Sequence, residues 1–304
     1  MSAARSQTQL PSGHRNPQPP RRWRLNNATN ASYIAASYVK FVESGGARVI
    51  PLVYNEPPQI LHKKLNLVNG VLLPAVSTKK VIYIDVVESI FTNVVRRNDA
   101  GDRFPLLAIC LGFELLAIIV GKGILEVFNA KDEASNLQFM KNTSLAGAFF
   151  ERFPPSLLKK LATECLTMEN HHYGISPKKF QKNKYLYSFF KILTTSVCKD
   201  NKVYVSTVQA RKYPVTAFEW HPEHVPYKIM GFKNLKNYCL PSSRNAFQWG
   251  LPGIPHSEAA VQVTQNVANY FVREARESIK RPSPGEILEH LIYKHKHTYS
   301  GRAG

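Results

Sequence analysis

Long apolar runs are missing from this chain: no stretch approaches the roughly eighteen residues that a membrane-crossing helix needs, so no membrane span is expected. Cysteine is sparse. The four present, Cys110, Cys165, Cys198 and Cys239, have the spacing of neither a metal site nor a dense disulfide framework. No Gly-rich phosphate loop occurs to suggest a phosphate-bearing cofactor. Acidic residues are the scarce charge, 21 against 40 lysines and arginines, and the net charge of +19 first suggests a polyanionic partner. Its distribution argues otherwise. Residues 1–30 carry five arginines and no acid, and residues 224–244 carry four basic residues and no acid. Much of the excess therefore sits in two segments, and no aromatic and basic stripe accompanies it, so nucleic acid is not the expected partner. Residues 1–24 hold charge and proline without an apolar centre and do not read as a signal peptide.

What the chain does have is an alternation of short apolar strands and amphipathic helices, with enough hydrophobic residues among its 304 for one large core. Residues 1–25, rich in Pro, Gln and Arg, read as disordered. Residues 31–44 have helical spacing, with Ile34, Tyr38, Phe41 and Val42 on one side and Gly45-Gly46 as a stop. Strands are expected at 48–53 and 70–74, with helices at 59–67 and 82–97. Short connections of this kind imply a parallel sheet with helices on both faces. Residues 125–150 suggest short strands, and residues 189–196 and 202–208 an antiparallel pair turning at Lys199-Asp-Asn201. A long amphipathic helix spans 259–279, and residues 281–304 read as a tail.

Two stretches carry chemistry. Residues 104–109 form a continuous apolar strand that runs into Cys110-Leu-Gly-Phe-Glu114 and a helix, so Cys110 is expected at a strand-to-helix elbow, with Gly112 permitting the turn. A thiol beside a helix N-terminus is favoured as thiolate, although most free cysteines are small buried core residues. The second stretch is a strand from residue 213 that ends in Trp220-His-Pro-Glu223. A histidine two residues before a carboxylate can serve a thiol while the carboxylate orients the ring. Asn170-His171-His172 reads as a polar turn, with no third ligand at a spacing that would make it a metal site.

These residues together resemble the class I glutamine amidotransferase-like superfamily and, within it, the gamma-glutamyl hydrolases (folate poly-gamma-glutamate hydrolases). The resemblance covers roughly residues 26–280 and rests on 31–46, Cys110 to Glu114, Asn170-His171 and His221 to Glu223; Ile254-Pro-His-Ser-Glu258 with Val261 to Gln265 is similar to plant members. It implies a flavodoxin-like three-layer α/β/α sandwich with an apparently missing first strand, no cofactor, and hydrolysis of gamma-glutamyl bonds in folylpoly-gamma-glutamates through a thioester. Cys110 would be the nucleophile, His221 the proton carrier, Glu223 its orienting partner, Leu111 N–H the oxyanion donor and His171 a substrate-cleft residue. A basic cleft would suit a substrate that is a chain of glutamates. Vacuolar or extracellular location is implied by the family, with sequons at Asn27, Asn30 and Asn142, whereas a chain starting at residue 1 as written would stay in the cytosol. A homodimer is left open.

Three departures accompany the resemblance. The first strand is absent, Pro74-Ala75-Val76-Ser77 stands where the family has a Gly-Gly turn, and residues 224–244 are inserted directly after Glu223. They keep open one alternative, an impaired or dead relative that at most binds folates; the shared Cys, His, Glu set keeps open a second, a glutaminase of the amidotransferase type.

Overall fold

The computed structural model describes residues 34–75, 81–141, 147–223 and 257–297, all within one compact unit that begins at Ile34. The expectations for the disordered start, the first strand and the insertion at 224–244 lie outside the described residues.

The first helix, α1 (Ala36–Ser44), buries Tyr38 and Phe41, as its apolar spacing requires. Residues 48–53 follow. Expected as a strand, they have no ladder partner among the described residues, because their polar groups are committed elsewhere. The Val49 carbonyl accepts the Ile292 N–H at 2.9 Å, the Pro51 carbonyl accepts the Lys64 ammonium at 3.1 Å, and Pro51 has no N–H to give. The chain continues through α2 (Pro58–Asn66), β1 (Val71–Leu73), α3 (Val81–Asp99), β2 (Leu106–Ile109) and α4 (Leu111–Gly121). Next come β3 (Glu126–Ser135), β4 (Gln138–Phe139), a 3-10 turn at Phe149–Arg152, α5 (Pro155–Thr163) and β5 (Thr167–Gly174). The short helices α6 (Pro177–Lys182) and α7 (Lys184–Phe189) lead to β6 (Phe190–Val197), β7 (Val203–Ala210) and β8 (Val215–Phe218). The helix α8 (Glu258–Arg276) and the short α9 (Pro284–His290) complete the described chain.

Among the described residues six strands form one sheet in the order β1-β2-β8-β7-β6-β4, parallel from β1 to β8 and antiparallel beyond. Strands β3 and β5 make a separate antiparallel ribbon. Alternate residues of β2 show why three layers result, since successive side chains of a strand face opposite ways. Leu106 and Ala108 enter a core shared with Leu65, Val87, Val94 and Leu115 from α2, α3 and α4. Leu107 and Ile109 enter the other, with Phe41, Leu157, Val263 and Phe271 from α1, α5 and α8. Full burial of one such side chain contributes about 1.5–3 kcal/mol. Phe149 pins the 3-10 turn in the second core, its ring 4.9 Å from those of Phe218 and Tyr270.

The segment from residue 281, expected as a tail, instead packs on the domain. Ser283 caps α9 by accepting the Glu286 N–H at 3.3 Å, and Leu291 is buried against Ile50 and Leu67.

A buried ion pair ties the end of α3 to the end of α8. Asp102 accepts from Arg97 Nη2 at 2.6 Å and Nε at 2.8 Å, and its other oxygen accepts from Ser278 Oγ at 2.7 Å and Ile279 N–H at 3.1 Å. Burial alone would raise the Asp102 carboxyl; the hydrogen bonds from Ser278 and Arg97 outweigh it and hold the group below its ordinary value. A carboxylate depressed in the folded state gives its stabilisation in full above its unfolded value, near 3.9, and loses it as pH falls through the folded one. Asp102→Asn should cost about 3–5 kcal/mol at neutral pH, since it strands a buried guanidinium. In urea melts the gap between the two proteins should close below about pH 4; a gap independent of pH would contradict this origin.

Candidate active site

Cys110 sits at the corner between β2 and α4 with φ 51° and ψ −107°, a positive φ that a side chain rarely adopts. The corner was expected to turn on Gly112. The cysteine itself carries the strained geometry, and Gly112 lies in the first turn of α4 for a different reason. A Cβ there would stand 2.7 Å from the Leu73 carbonyl oxygen, so glycine is what lets α4 close onto β1. The Cys110 N–H donates to the Phe218 carbonyl at 2.7 Å, which joins the corner to β8. Leu111 N–H is the first amide of α4, among those a helix leaves without an internal acceptor, and it directly follows the cysteine in the chain.

The histidine loop is held from three sides. Glu219 N–H donates to the Ser206 carbonyl on β7, His221 N–H to the Met168 carbonyl on β5, and Thr264 Oγ1 on α8 to the Pro222 carbonyl, each at 2.9 Å. Trp220 is buried, its Nε1 donating to Thr207 Oγ1 at 3.0 Å. The loop therefore presents His221 in a fixed pose. Its Nδ1 is 2.8 Å from Glu223 Oε1, and the ring lies near enough to Cys110 to be coupled to it electrostatically. Burial opposes a charged imidazole here, but the neighbouring charges of Cys110 and Glu223 outweigh it and raise His221 well above its usual range. The arrangement sets a cysteine beside an imidazole that a buried carboxylate orients. Cys110, His221 and Glu223, singled out in the sequence, are thus in contact.

His171 was expected in a turn and lies within β5, fully buried. Its Nδ1 is 2.8 Å from the Tyr173 carbonyl, which can only accept, so Nδ1 carries a proton; Nε2 is 3.3 Å from Glu169 Oε2. The preceding carbonyl, of Asn170, is 4.0 Å from Cys110 Sγ. No group of His, Cys, Asp and Glu among the described residues could hold a metal ion.

Two groups near the site were not legible beforehand. Glu219, fully buried, finds no hydrogen-bond partner for either oxygen among the described residues. Burial, then the charges of Glu114, Cys110 and Glu169, push its carboxyl well above the ordinary range, so it is held neutral. Its place in an apolar strand gave no sign of this. The second is Tyr38, read only as part of an apolar helix face, whose hydroxyl accepts the Ala75 N–H at 3.0 Å. Val76 and Ser77, the rest of the stretch expected in place of a Gly-Gly turn, lie outside the described residues.

The family model for Peptidase C26 matches residues 18–223. The chain is 54% identical over 279 residues to "Probable gamma-glutamyl hydrolase 3" of Arabidopsis thaliana, covering 91% of this chain and 74% of that protein. It is 36% identical over 277 residues to "Gamma-glutamyl hydrolase" of Homo sapiens, covering 88% and 79%. A solved glutamine amidotransferase from Thermotoga maritima aligns with a TM-score of 0.31 at 13% identity, over 56% of this chain and 60% of that one.

Two substitutions test the geometry. At the Cys110 corner, Cys110→Gly should be more stable than Cys110→Ala by about 1 kcal/mol, because only glycine adopts a positive φ without strain; calorimetry giving the alanine form the higher Tm would contradict it. For Glu219, a carboxyl raised in the folded state costs stability once pH exceeds its unfolded value, and the cost grows with pH until the folded value is passed. Glu219→Gln should therefore melt higher than the parent at pH 7, and the difference should widen from pH 5 to pH 8. Parallel melting curves across that range would mean that Glu219 is not held neutral.

Proposed function

Because the chain belongs to the Peptidase C26 family, we propose that it hydrolyses gamma-glutamyl bonds of folate polyglutamates through a cysteine thioester. The observation that supports this reading is the contact chain from Cys110 through His221 to Glu223, with the cysteine strained at a helix N-terminus. The Cys110 thiolate attacks the gamma-carbonyl carbon and forms a C–S bond while the carbonyl electrons move to oxygen. Leu111 N–H donates to that oxyanion. As the tetrahedral adduct collapses, His221 gives its proton to the departing α-nitrogen of the next glutamate, and a thioester remains. Neutral His221 then takes a proton from water, whose oxygen attacks the thioester carbon. Collapse breaks the C–S bond, releases the gamma-carboxylate and restores the thiolate and imidazolium. Throughout, Glu223 keeps Nδ1 protonated, so Nε2 is the nitrogen that exchanges protons.

The assay is cleavage of folate pentaglutamate followed by chromatography of the shortened folates, with free glutamine offered in parallel. Shortened folates should appear without ammonia release from glutamine. Cys110→Ala should abolish turnover and leave the circular dichroism spectrum unchanged. Residual cleavage near the parental rate would refute the assignment of the nucleophile; ammonia from glutamine without folate cleavage would favour the glutaminase reading.

A further inference from the structure

The residue between His221 and Glu223 is held from outside its own loop. Pro222 has no N–H, so its carbonyl is the one backbone hydrogen-bonding group it offers. That carbonyl accepts the Thr264 hydroxyl of α8 at 2.9 Å, and both residues are buried. The proline ring also fixes its own φ, which leaves ψ as the soft dihedral of Pro222. Turning ψ swings the carbonyl and, with it, the peptide that leads to Glu223. A hydrogen bond to the carbonyl therefore sets the direction in which the chain leaves Pro222 for the carboxylate. A threonine inside a helix ordinarily donates to the carbonyl three or four residues back. Thr264 reaches across to the loop instead, from a helix whose Val263, Val267 and Phe271 enter the second core. The helix is itself anchored near this point. Gln265 Nε2 donates to the Ser44 carbonyl at 3.0 Å, and the Tyr270 hydroxyl lies 3.3 Å from Thr216 Oγ1 on β8, the strand that runs into the loop.

We propose that Thr264 is a positioning residue, whose hydroxyl, donated from α8 to the Pro222 carbonyl, fixes the peptide between His221 and Glu223 and so keeps the carboxylate in line with the imidazole. The proposal rests on the hydrolase reading only for its kinetic readout. On the near side of Pro222, His221 N–H donates to the Met168 carbonyl at 2.9 Å, so the backbone is tied to β5 before the proline and to α8 at it. Between these ties the histidine is committed, with Nδ1 2.8 Å from Glu223 Oε1. A turn of the Pro222 carbonyl away from α8 would carry Glu223 off that nitrogen, and misplacing a catalytic group by about 1 Å can cost about 100-fold in rate. If the bond served stability alone, its loss would lower Tm and leave turnover by the folded enzyme unchanged.

The test is Thr264→Val in the full chain, beside Thr264→Ser, Glu223→Gln and the double variant of Thr264→Val with Glu223→Gln. Valine keeps the shape and removes the donor; serine keeps the donor. Thr264→Ala replaces Thr264→Val if circular dichroism shows that the valine form does not fold. Two readouts are taken below the Tm of every variant: kcat and KM on folate pentaglutamate, and the rate of iodoacetamide labelling at Cys110 at one pH, read by mass spectrometry of the Cys110 peptide. Thr264→Val should lower kcat about 3- to 30-fold and leave KM within about two-fold, because the displaced group moves protons and does not bind substrate. Thr264→Ser should recover most of that loss. Labelling should slow about 2- to 10-fold in Thr264→Val, since an imidazole out of line with its carboxylate is a poorer base for the thiol. The double variant should be little slower than Glu223→Gln alone, because Thr264 acts through the alignment of Glu223. Should the parent cleave no folate while Thr264→Val still slows labelling and serine restores it, the positioning role stands and the hydrolase reading falls. Labelling rates that coincide, a kcat for Thr264→Val within about two-fold of an active parent, no recovery with serine, or strictly multiplicative losses in the double variant would each overturn the role for Thr264.

Discussion

The structure depends on the corner at Cys110, where a buried parallel strand turns into a helix within one residue of positive φ. The hydrogen bond from its N–H to the Phe218 carbonyl fixes that corner to the end of β8. Because Ile109 pairs with Phe218, the register that places the cysteine also places His221 three residues further on. Register in a buried sheet is strongly specified, since a slip of one residue would reverse every side chain. Nucleophile and base are therefore positioned by the same apolar pattern that builds the core, at the carboxyl ends of parallel strands, where open α/β sheets place their sites.

Around that corner the protein tolerates what it avoids elsewhere. Beneath the site, Glu169, Glu219 and His171 are fully or almost fully buried on or beside β5 and β8. Burial raises Glu133 to about 7, against the opposing pull of Lys199. Such groups cost stability individually, and strain and buried charge of this kind cluster at functional sites in a fold that can offset them elsewhere. Here the offset comes from the two apolar cores and from anchors such as the Arg97 to Asp102 pair, where a charge is fully partnered.

Several elements were legible because their signal is local. The helical spacing of Val263, Val267 and Phe271, the apolar run ending at Ile109, and the turn at Asn201 with φ 57° depend on near neighbours in the chain. Residues 48–53 misled for the opposite reason. An apolar extended stretch states its conformation but not its partner, and here its carbonyls go to Ile292 and Lys64 from distant parts of the chain. The two histidines likewise read as a turn, because nothing nearby shows that β3 pairs with β5 across a forty-residue separation in the ribbon (Ala130 with His171, about forty residues apart).

The sequence by itself determined the strand-to-helix setting of Cys110, the pairing of His221 with Glu223 two residues later, and the layered α/β class, since each follows from spacing along a few residues. Only the tertiary structure decided that the cysteine bears the strain, that Glu219 is neutral, and that the Tyr38 hydroxyl meets the Ala75 amide. Those properties arise from burial and from contacts between α1, the β1 turn and the end of β8. Desolvation and contacts across the fold have no periodicity for a sequence to display.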